Sequence, residues 1–499
     1  MVKLAEQRAR WDSRLIFLFA AIGSAVGLGN LWRFPYITYK FGGGAFLIPY
    51  LIILLAIGIP VLILEFALGQ KMQQGAIGSF RKINRRFSGL GFLAAFVCFV
   101  VVAYYAVVMG WSLIYMLGSL HAPLPWSGEP EKFFANNVLQ RSAGIGDIGS
   151  LSVALVVALA AVWIAIFFCV FRGVKSIGKA VMVSMPLPFI LLVILFLRAI
   201  TLDGALAGIA YYIRPDFSLL LSGELWLAAI SQVFFSLSIG FGVLIAYGSF
   251  NPLRQGITRN AFVVALADTG LSLLAGFVVF GVLGHMALVQ NVPIEDVVKS
   301  GPSLAFAAFP QALSLLPLAG IFSLVFFVTI FFIGIDSAFS LVEGVTTVVR
   351  DRWRRIAVPL VAFIVCGIGF ISGLIFTTGA GLYFFDIIDH YVNSYLLVAV
   401  GIVQCILVGW VYGAEKMRNY INSVSRMKIG RWWDVCIRWV IPLSLGILMA
   451  MQLITDIRAP YEGYPQWAQA IGWGIIILPL AIALLMAFLP SRPSPAAQR

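Results

Sequence analysis

Two acidic residues stand where acids are costly. Asp336, in "FFIGIDSAFSLVEG", and Asp268, in "VVALADTGLSLLAG", each sit inside an apolar run long enough to cross a bilayer. A carboxylate at that depth costs roughly 3 kcal/mol or more unless something compensates it. It can ligate a cation, relay a proton or pair with a fixed positive side chain. No Lys or Arg lies at matching depth in a run, which favours the first. Two further stretches carry the same chemistry. "GSAVGLGN" (23–30) and "SLSIGFG" (236–242) put glycines, hydroxyls and an amide at mid-run. Backbone inside hydrocarbon must bond internally unless it lines a cavity. An interrupted helix frees carbonyls and adds hydroxyls, the oxygen ligands a hard cation takes.

Those residues need spanning helices to place them. The 499-residue chain is 61% hydrophobic and 11% charged, a balance foreign to soluble domains. Runs of about 20 apolar residues suffice to span. Twelve are expected: roughly 14–37, 43–69, 88–120, 151–171, 179–200, 225–249, 259–287, 318–349, 356–376, 382–412, 437–456 and 467–490. The first is too long and too interrupted for a cleaved signal peptide. Lys and Arg cluster in the leader (Lys3, Arg8, Arg10, Arg14), around Lys71–Arg86, at Arg172–Lys179, at Arg254 and Arg259, at Arg350–Arg355 and at 415–431. The alternate loops hold few, among them Lys132, Arg141, Arg214, Lys299 and Arg458. The positive-inside rule then places both termini in the cytoplasm, in a multi-pass protein of the plasma (inner) membrane. The net charge of +13 reflects that topology and contact with anionic headgroups, not nucleic-acid binding. The five cysteines lie in or at the ends of apolar runs, and the three histidines show no metal-ligand spacing.

The first and sixth runs carry the same Ser and Gly-x-Gly interruption. They are five runs apart, an odd number, so a repeated block would be inserted upside down. This is the sequence sign of an inverted five-helix repeat with its site where two discontinuous helices meet. The expected fold is all-α integral membrane: a single polytopic domain over 1–499, with repeats at about 12–200 and 224–412 and two extra helices at about 437–490.

The string "GSAVGLGNLWRFPYITYKFGGGAFLIPY", with "SQVFFSLSIGFG" and "GIDSAFS", resembles the neurotransmitter:sodium symporters, particularly their bacterial amino-acid transporters. The likeness runs in order from Arg8 to about Tyr412. It implies sodium-coupled symport of a small molecule by alternating access, with no enzymatic turnover. It also implies two sodium sites. The first would use the Ala25 carbonyl, Asn30, Ser236, Asp268 and the substrate carboxylate. The second would use the carbonyls of Gly23, Val26 and Ile333 with the oxygens of Asp336 and Ser337. The implied substrate pocket comprises Ser24, Ala25, Leu28, Gly29, Val101, Tyr105, Phe235, Ser236, Ser238, Phe241, Ser337 and Leu341, with the Tyr105 hydroxyl on a carboxylate. Amine-transporting relatives carry Asp where this chain has Gly27, so a neutral, hydrophobic α-amino acid is expected. The alternatives are a sensor on a transporter fold, or a symporter for another small zwitterion or amine.

The resemblance also implies gates. Arg33 and Asp389, beside Gln232 and Phe235, would close the outer side; Arg8 and Asp351, beside Trp11, the inner. In chloride-requiring relatives the anion lies at positions matching Tyr50, Gln232, Ser236, Ser272 and Asp268. A fixed carboxylate at Asp268, about 5 Å from such an anion, would repel it by roughly 3 kcal/mol at an effective dielectric near 20, so chloride is not expected. Relatives unwind their fifth helix at a Gly–Pro pair nine residues apart. Here the best register gives Ser176 and Pro186, and a shifted one Gly178 and Pro188. A channel would want a continuous polar pore and an enzyme a nucleophile–base or metal constellation; neither pattern is present. The expected partners are the amino acid and the bilayer, with a monomer or homodimer as assembly.

Overall fold

A computed structural model describes residues 8–298, 301–353 and 355–488. Lys3, Lys299, Arg354 and the last two residues of the twelfth run lie outside them. Among the described residues the chain is helical and has no strand; one antiparallel bridge pairs Leu151 with Thr378.

Among the described residues ten helices are long and apolar enough to cross a membrane, from Gly43–Met72 to Gln466–Phe488. The bent pair Arg14–Ala25 and Leu28–Lys40, turned by 64°, makes up to eleven. The expected sixth span accounts for the difference from twelve. It is two short helices, Gly223–Ser236 and Val243–Ser249, and neither has the length to span alone. Backbone conformation explains the break. Ser238, Gly240 and Gly242 have φ of 51°, 86° and 75°, a left-handed region that no right-handed helix passes through. In the first run, Val26 and Gly27 are extended instead. The Val174–Ser184 helix stops at a turn before Pro186, where Pro186–Ala199 begins. Pro186 lacks the N–H to continue the ladder. Gly178 lies inside the first of these helices, where a Cβ would sit 3.1 Å from Ile16.

The broken runs are enclosed by long helices. Ser88–Gly118 packs along Ala319–Arg352, which in turn packs on Arg14–Ala25, and Tyr105 of the former accepts the Leu28 N–H at the first break. The Val243–Ser249 half-helix lies directly on Ile59–Met72. A Cβ at Gly69 would come within 2.0 Å of the Ile245 carbonyl, and one at Gly248 within 2.8 Å of the Phe66 carbonyl. Without a hydrophobic drive between helices in lipid, small residues allow the backbone approach that binds them. The last two helices are peripheral. The apolar stretch of Arg431–Gly463 is only 11% buried, leaving Leu443, Ile447 and Ile457 exposed.

Gly69→Ala should therefore push the half-helix off its support. Overpacking of this kind costs about 1–3 kcal/mol, read as a lowered melting temperature in detergent. Gly474→Ala, where an added Cβ meets nothing within 4 Å, should leave the melting temperature unchanged.

Candidate functional site

Three expected ligands of the first cation site converge. Asn30 Nδ2 donates to Asp268 Oδ1 at 2.7 Å, to Ser272 Oγ at 2.7 Å and to Ser236 Oγ at 3.2 Å. Ser236 Oγ donates to Asp268 Oδ2 at 2.8 Å. Asn30 Oδ1 in turn accepts the Gly27 N–H at 2.8 Å, which pins the loop of the first break. All four side chains are buried. The residues come from three separate elements: the loop after Ala25, the end of Gly223–Ser236 and the middle of Thr258–Gln290. Ala25 is the last residue of its helix, where its carbonyl loses the next turn's donor.

The second set forms across the Arg14–Ala25 and Ala319–Arg352 helices. Ser337 Oγ donates to the Val26 carbonyl at 3.0 Å and lies 3.4 Å from the Gly23 carbonyl. Asp336 stands against Gly23, where a Cβ would fall 2.8 Å from its Oδ2. Ile333 is buried one turn earlier on the same helix. Asp336 Oδ1 is buried with no hydrogen-bond partner among the described residues. A carboxylate with one buried, unpartnered oxygen, standing against Gly23, suits a bound cation, whose charge would offset the desolvation. No cluster of three or more His, Cys, Asp or Glu occurs among the described residues. The donor set is carbonyl, hydroxyl and single carboxylate, which fits a hard monovalent ion rather than a transition metal.

Above these sets lies a cavity of about 440 Å³. Leu28, Gly29, Tyr105 and Phe235 line it, with Arg33 and Asp389 higher up. Tyr105 accepts the Leu28 N–H at 2.9 Å, so its hydroxyl stands at the first break. Gly27 faces it, and a Cβ there would lie 3.3 Å from that hydroxyl. Val101, Phe241 and Leu341 are buried and do not line this cavity. The two breaks brace one another through Ser238 Oγ, which donates to the Ser24 carbonyl at 2.6 Å, and Ser340 Oγ of the Ala319–Arg352 helix donates to Ser24 Oγ at 3.0 Å.

The two expected gate pairs differ. Arg8 pairs with Asp351 at 2.7 Å and donates twice to Ser249 Oγ. Trp11 Nε1 donates to the Tyr247 carbonyl at 3.0 Å, with its ring edge-on to Tyr247. The pair expected for the inner latch is formed. Among the described residues no ion pair joins Arg33 to Asp389. Arg33 donates to Ser231 Oγ at 2.7 Å and lies over the Phe235 ring. Asp389 accepts from the Tyr104 hydroxyl and Asn393 Nδ2, each at 2.7 Å. Each charge is satisfied on its own wall, with the cavity between them. Gln232 is fully buried, and neither of its amide atoms has a partner among the described residues.

Sequence reasoning passed over Glu65. It is fully buried and accepts the Gly240 N–H at 2.8 Å and Gln404 Nε2 at 2.9 Å. It therefore supports the second break from behind. The signal was available: "IPVLILEFALGQ" carries an acid inside an apolar run, the criterion that singled out Asp268 and Asp336. Ser231, Ser249, Tyr104 and Asn393 had no such signal, because a hydroxyl or amide near a span end is ordinary.

The sodium:neurotransmitter symporter family profile matches residues 8–130 and 127–491, nearly the whole chain. The chain belongs to the sodium:neurotransmitter symporter family. It is 40% identical over 485 residues to an uncharacterized sodium-dependent transporter of Methanocaldococcus jannaschii, covering 96% of each chain. It is 36% identical over 510 residues to the creatine transporter of Torpedo marmorata, covering 93% of this chain and 82% of the other. It is 34% identical over 529 residues to the sodium- and chloride-dependent taurine transporter of Rattus norvegicus, covering 96% and 85%. This symporter is thus a multi-pass membrane transporter and not an enzyme.

Asp336 supplies the only charge in the second oxygen set. In Asp336→Ala, the purified symporter should remain folded but lose most of the rise in melting temperature that sodium gives the wild type. A ligand at 100 times its dissociation constant stabilises by about 2.7 kcal/mol, well within reach of a thermal melt. A sodium response equal to the wild type's would make Asp336 a structural residue.

Proposed function

We propose that this symporter imports neutral, hydrophobic α-amino acids with sodium, through twelve spans arranged as an inverted five-helix repeat. The observation that carries the reading is the meeting of two broken spans at mid-depth. There the Asn30–Ser236–Asp268 and Gly23–Val26–Ser337 oxygen sets lie below a cavity bounded by Tyr105. Each set would hold one sodium ion, and the substrate carboxylate would complete the first. The Tyr105 hydroxyl and the free backbone ends of the first break would orient that carboxylate. Gly27 supports a substrate that brings its own acid, because the residue at this position, facing the Tyr105 hydroxyl, carries no carboxylate. The side-chain end would be Val101, Phe241 and Leu341 with Ser24, exposed to substrate once the cavity extends downward.

Alternating access follows from the unequal gates. With Arg8 held by Asp351 and Ser249, and Arg33 and Asp389 apart, the arrangement reads as open to the outer side. Substrate and sodium together could then exchange one gate for the other, since a ligand shifts an equilibrium by its differential affinity for the two states. Both termini would lie in the cytoplasm and the chain would act in the plasma membrane, as a monomer or homodimer.

The relatives named for creatine and taurine favour a second reading, in which the substrate is another small zwitterion. A thermal-shift panel of the twenty amino acids, taurine and creatine, each with sodium or potassium, separates the two. Hydrophobic amino acids should stabilise the purified protein only with sodium, since ligands that complete one site raise each other's affinity reciprocally. Equal stabilisation in potassium would remove sodium coupling from the reading.

Chloride is the finer point. The polar shell of Tyr50, Gln232, Ser236 and Ser272 is present, but Asp268 brings a fixed carboxylate into it. Uptake into proteoliposomes should be equal in chloride and gluconate, and Asp268→Asn should become chloride-dependent, with about a hundredfold change in anion affinity for roughly 3 kcal/mol of repulsion. Wild-type uptake that rises severalfold with chloride would show that Asp268 does not supply the missing charge.

A further inference from the structure

A second cavity, of about 590 Å³, opens on the side of the Arg8–Asp351 latch and belongs to neither the oxygen sets nor the substrate cavity. Its shaft is two facing stripes. Phe92, Phe96 and Phe99 recur at helical spacing on Ser88–Gly118, and Val345, Val348 and Val349 on Ala319–Arg352. All six are half-buried, so both stripes present apolar surface to whatever lies between them. Its mouth is different. Arg81 from the Ala76–Ile83 helix, Arg85 just after it and Arg352 at the end of the long helix line it, with Trp353 beside them. Arg81 and Arg352 are solvent-exposed. Asp351, the carboxylate that also lines the mouth, is already committed: it pairs with Arg8 at 2.7 Å and accepts the Gly75 N–H at 2.5 Å.

We propose that this groove binds one anionic phospholipid of the surrounding bilayer. Its phosphate would lie on Arg81 and Arg352, and one acyl chain would run between the Phe92–Phe99 and Val345–Val349 stripes. Charge decides the occupant. A cationic mouth over an apolar shaft matches an anionic headgroup on a hydrocarbon tail, and guanidinium forks suit phosphate oxygens. The chain's own last residues are the competing occupant, since Met486 borders the groove. Residues 489–499 carry Arg492 and Arg499 and no acid, so the mouth would repel them. The lipid would bridge the helix that follows Gly75 to the helix that carries Asp351. It would thereby hold together the two segments that Asp351 already joins, and favour the closed inner latch.

The test uses the purified full chain, delipidated and returned to vesicles of phosphatidylglycerol or phosphatidylcholine with matched acyl chains. Lipid retained after detergent extraction and the melting temperature are both measured. Phosphatidylglycerol should be retained several-fold over phosphatidylcholine and should raise the melting temperature. Each of Arg81→Gln and Arg352→Gln should reduce that preference about fivefold, the equivalent of about 1 kcal/mol per basic residue. Arg458→Gln, an exposed arginine elsewhere, should retain it. Inorganic phosphate and glycerol phosphate should not reproduce the effect. Equal retention of the two lipids, or a preference untouched by both arginine variants, would reduce the groove to ordinary bilayer contact and overturn the proposal. Full stabilisation by glycerol phosphate alone would overturn the acyl-chain part. A preference that appears only after residues 489–499 are removed would place the tail in the groove and overturn it as well.

Discussion

Peptide groups inside hydrocarbon must find partners within the protein, and the rest of this symporter is arranged around two places where a helix cannot supply them. At Val26–Gly27 the chain is extended, and at Ser238–Gly242 it turns through left-handed conformations. The freed groups are satisfied from other elements. The Gly27 N–H goes to Asn30, the Gly240 N–H to Glu65, the Leu28 N–H to Tyr105, and the Ser24 and Val26 carbonyls to Ser238 and Ser337. Each bond crosses from a broken run to an intact helix, to its own loop or to the other break. The long helices thus complete the hydrogen bonding of the breaks as well as enclosing them.

That arrangement explains why acids are tolerated at this depth. Glu65 and Asp268 are both buried, and each accepts two donors. Glu65 and Asp336 each keep one oxygen, Oε2 and Oδ1, unpartnered among the described residues. Asp336 differs in its surroundings: its Oδ2 stands against Gly23, and Ser337 beside it donates to the Val26 carbonyl, so carboxylate, hydroxyl and carbonyl oxygens gather as a small hard cation would need. The glycine contacts serve the same end. Gly69 and Gly248 bring backbones together so that the Val243–Ser249 half-helix has a fixed seat despite having only seven residues.

Function in this family requires motion, and the polar contacts are distributed accordingly. The Arg8–Asp351 latch is tied by an ion pair, two bonds to Ser249 and the nearby Trp11 indole. The outer charges are held on opposite walls by Ser231, Tyr104 and Asn393. The second cavity adjoins Asp351, so the latch carboxylate borders an apolar groove as well as its ion pair.

Much of this was legible in the amino-acid sequence. Apolar runs of spanning length, mid-run acids and glycine-rich interruptions are local features, and local backbone physics is enough to read them. Asp268, Asp336, Asn30 and Ser236 were identifiable for that reason, and Glu65 was open to the same reading. The count of spans was less so, because the sixth run divides into pieces whose length alone no longer marks a crossing. Tertiary structure alone decided which residues meet. Asn30 reaches Asp268 across 238 positions and Ser337 reaches Val26 across 311, distances over which no periodicity carries information. It also decided that Arg33 turns to Ser231 rather than Asp389. A charge near a span end has several partners within reach, and only packing selects among them.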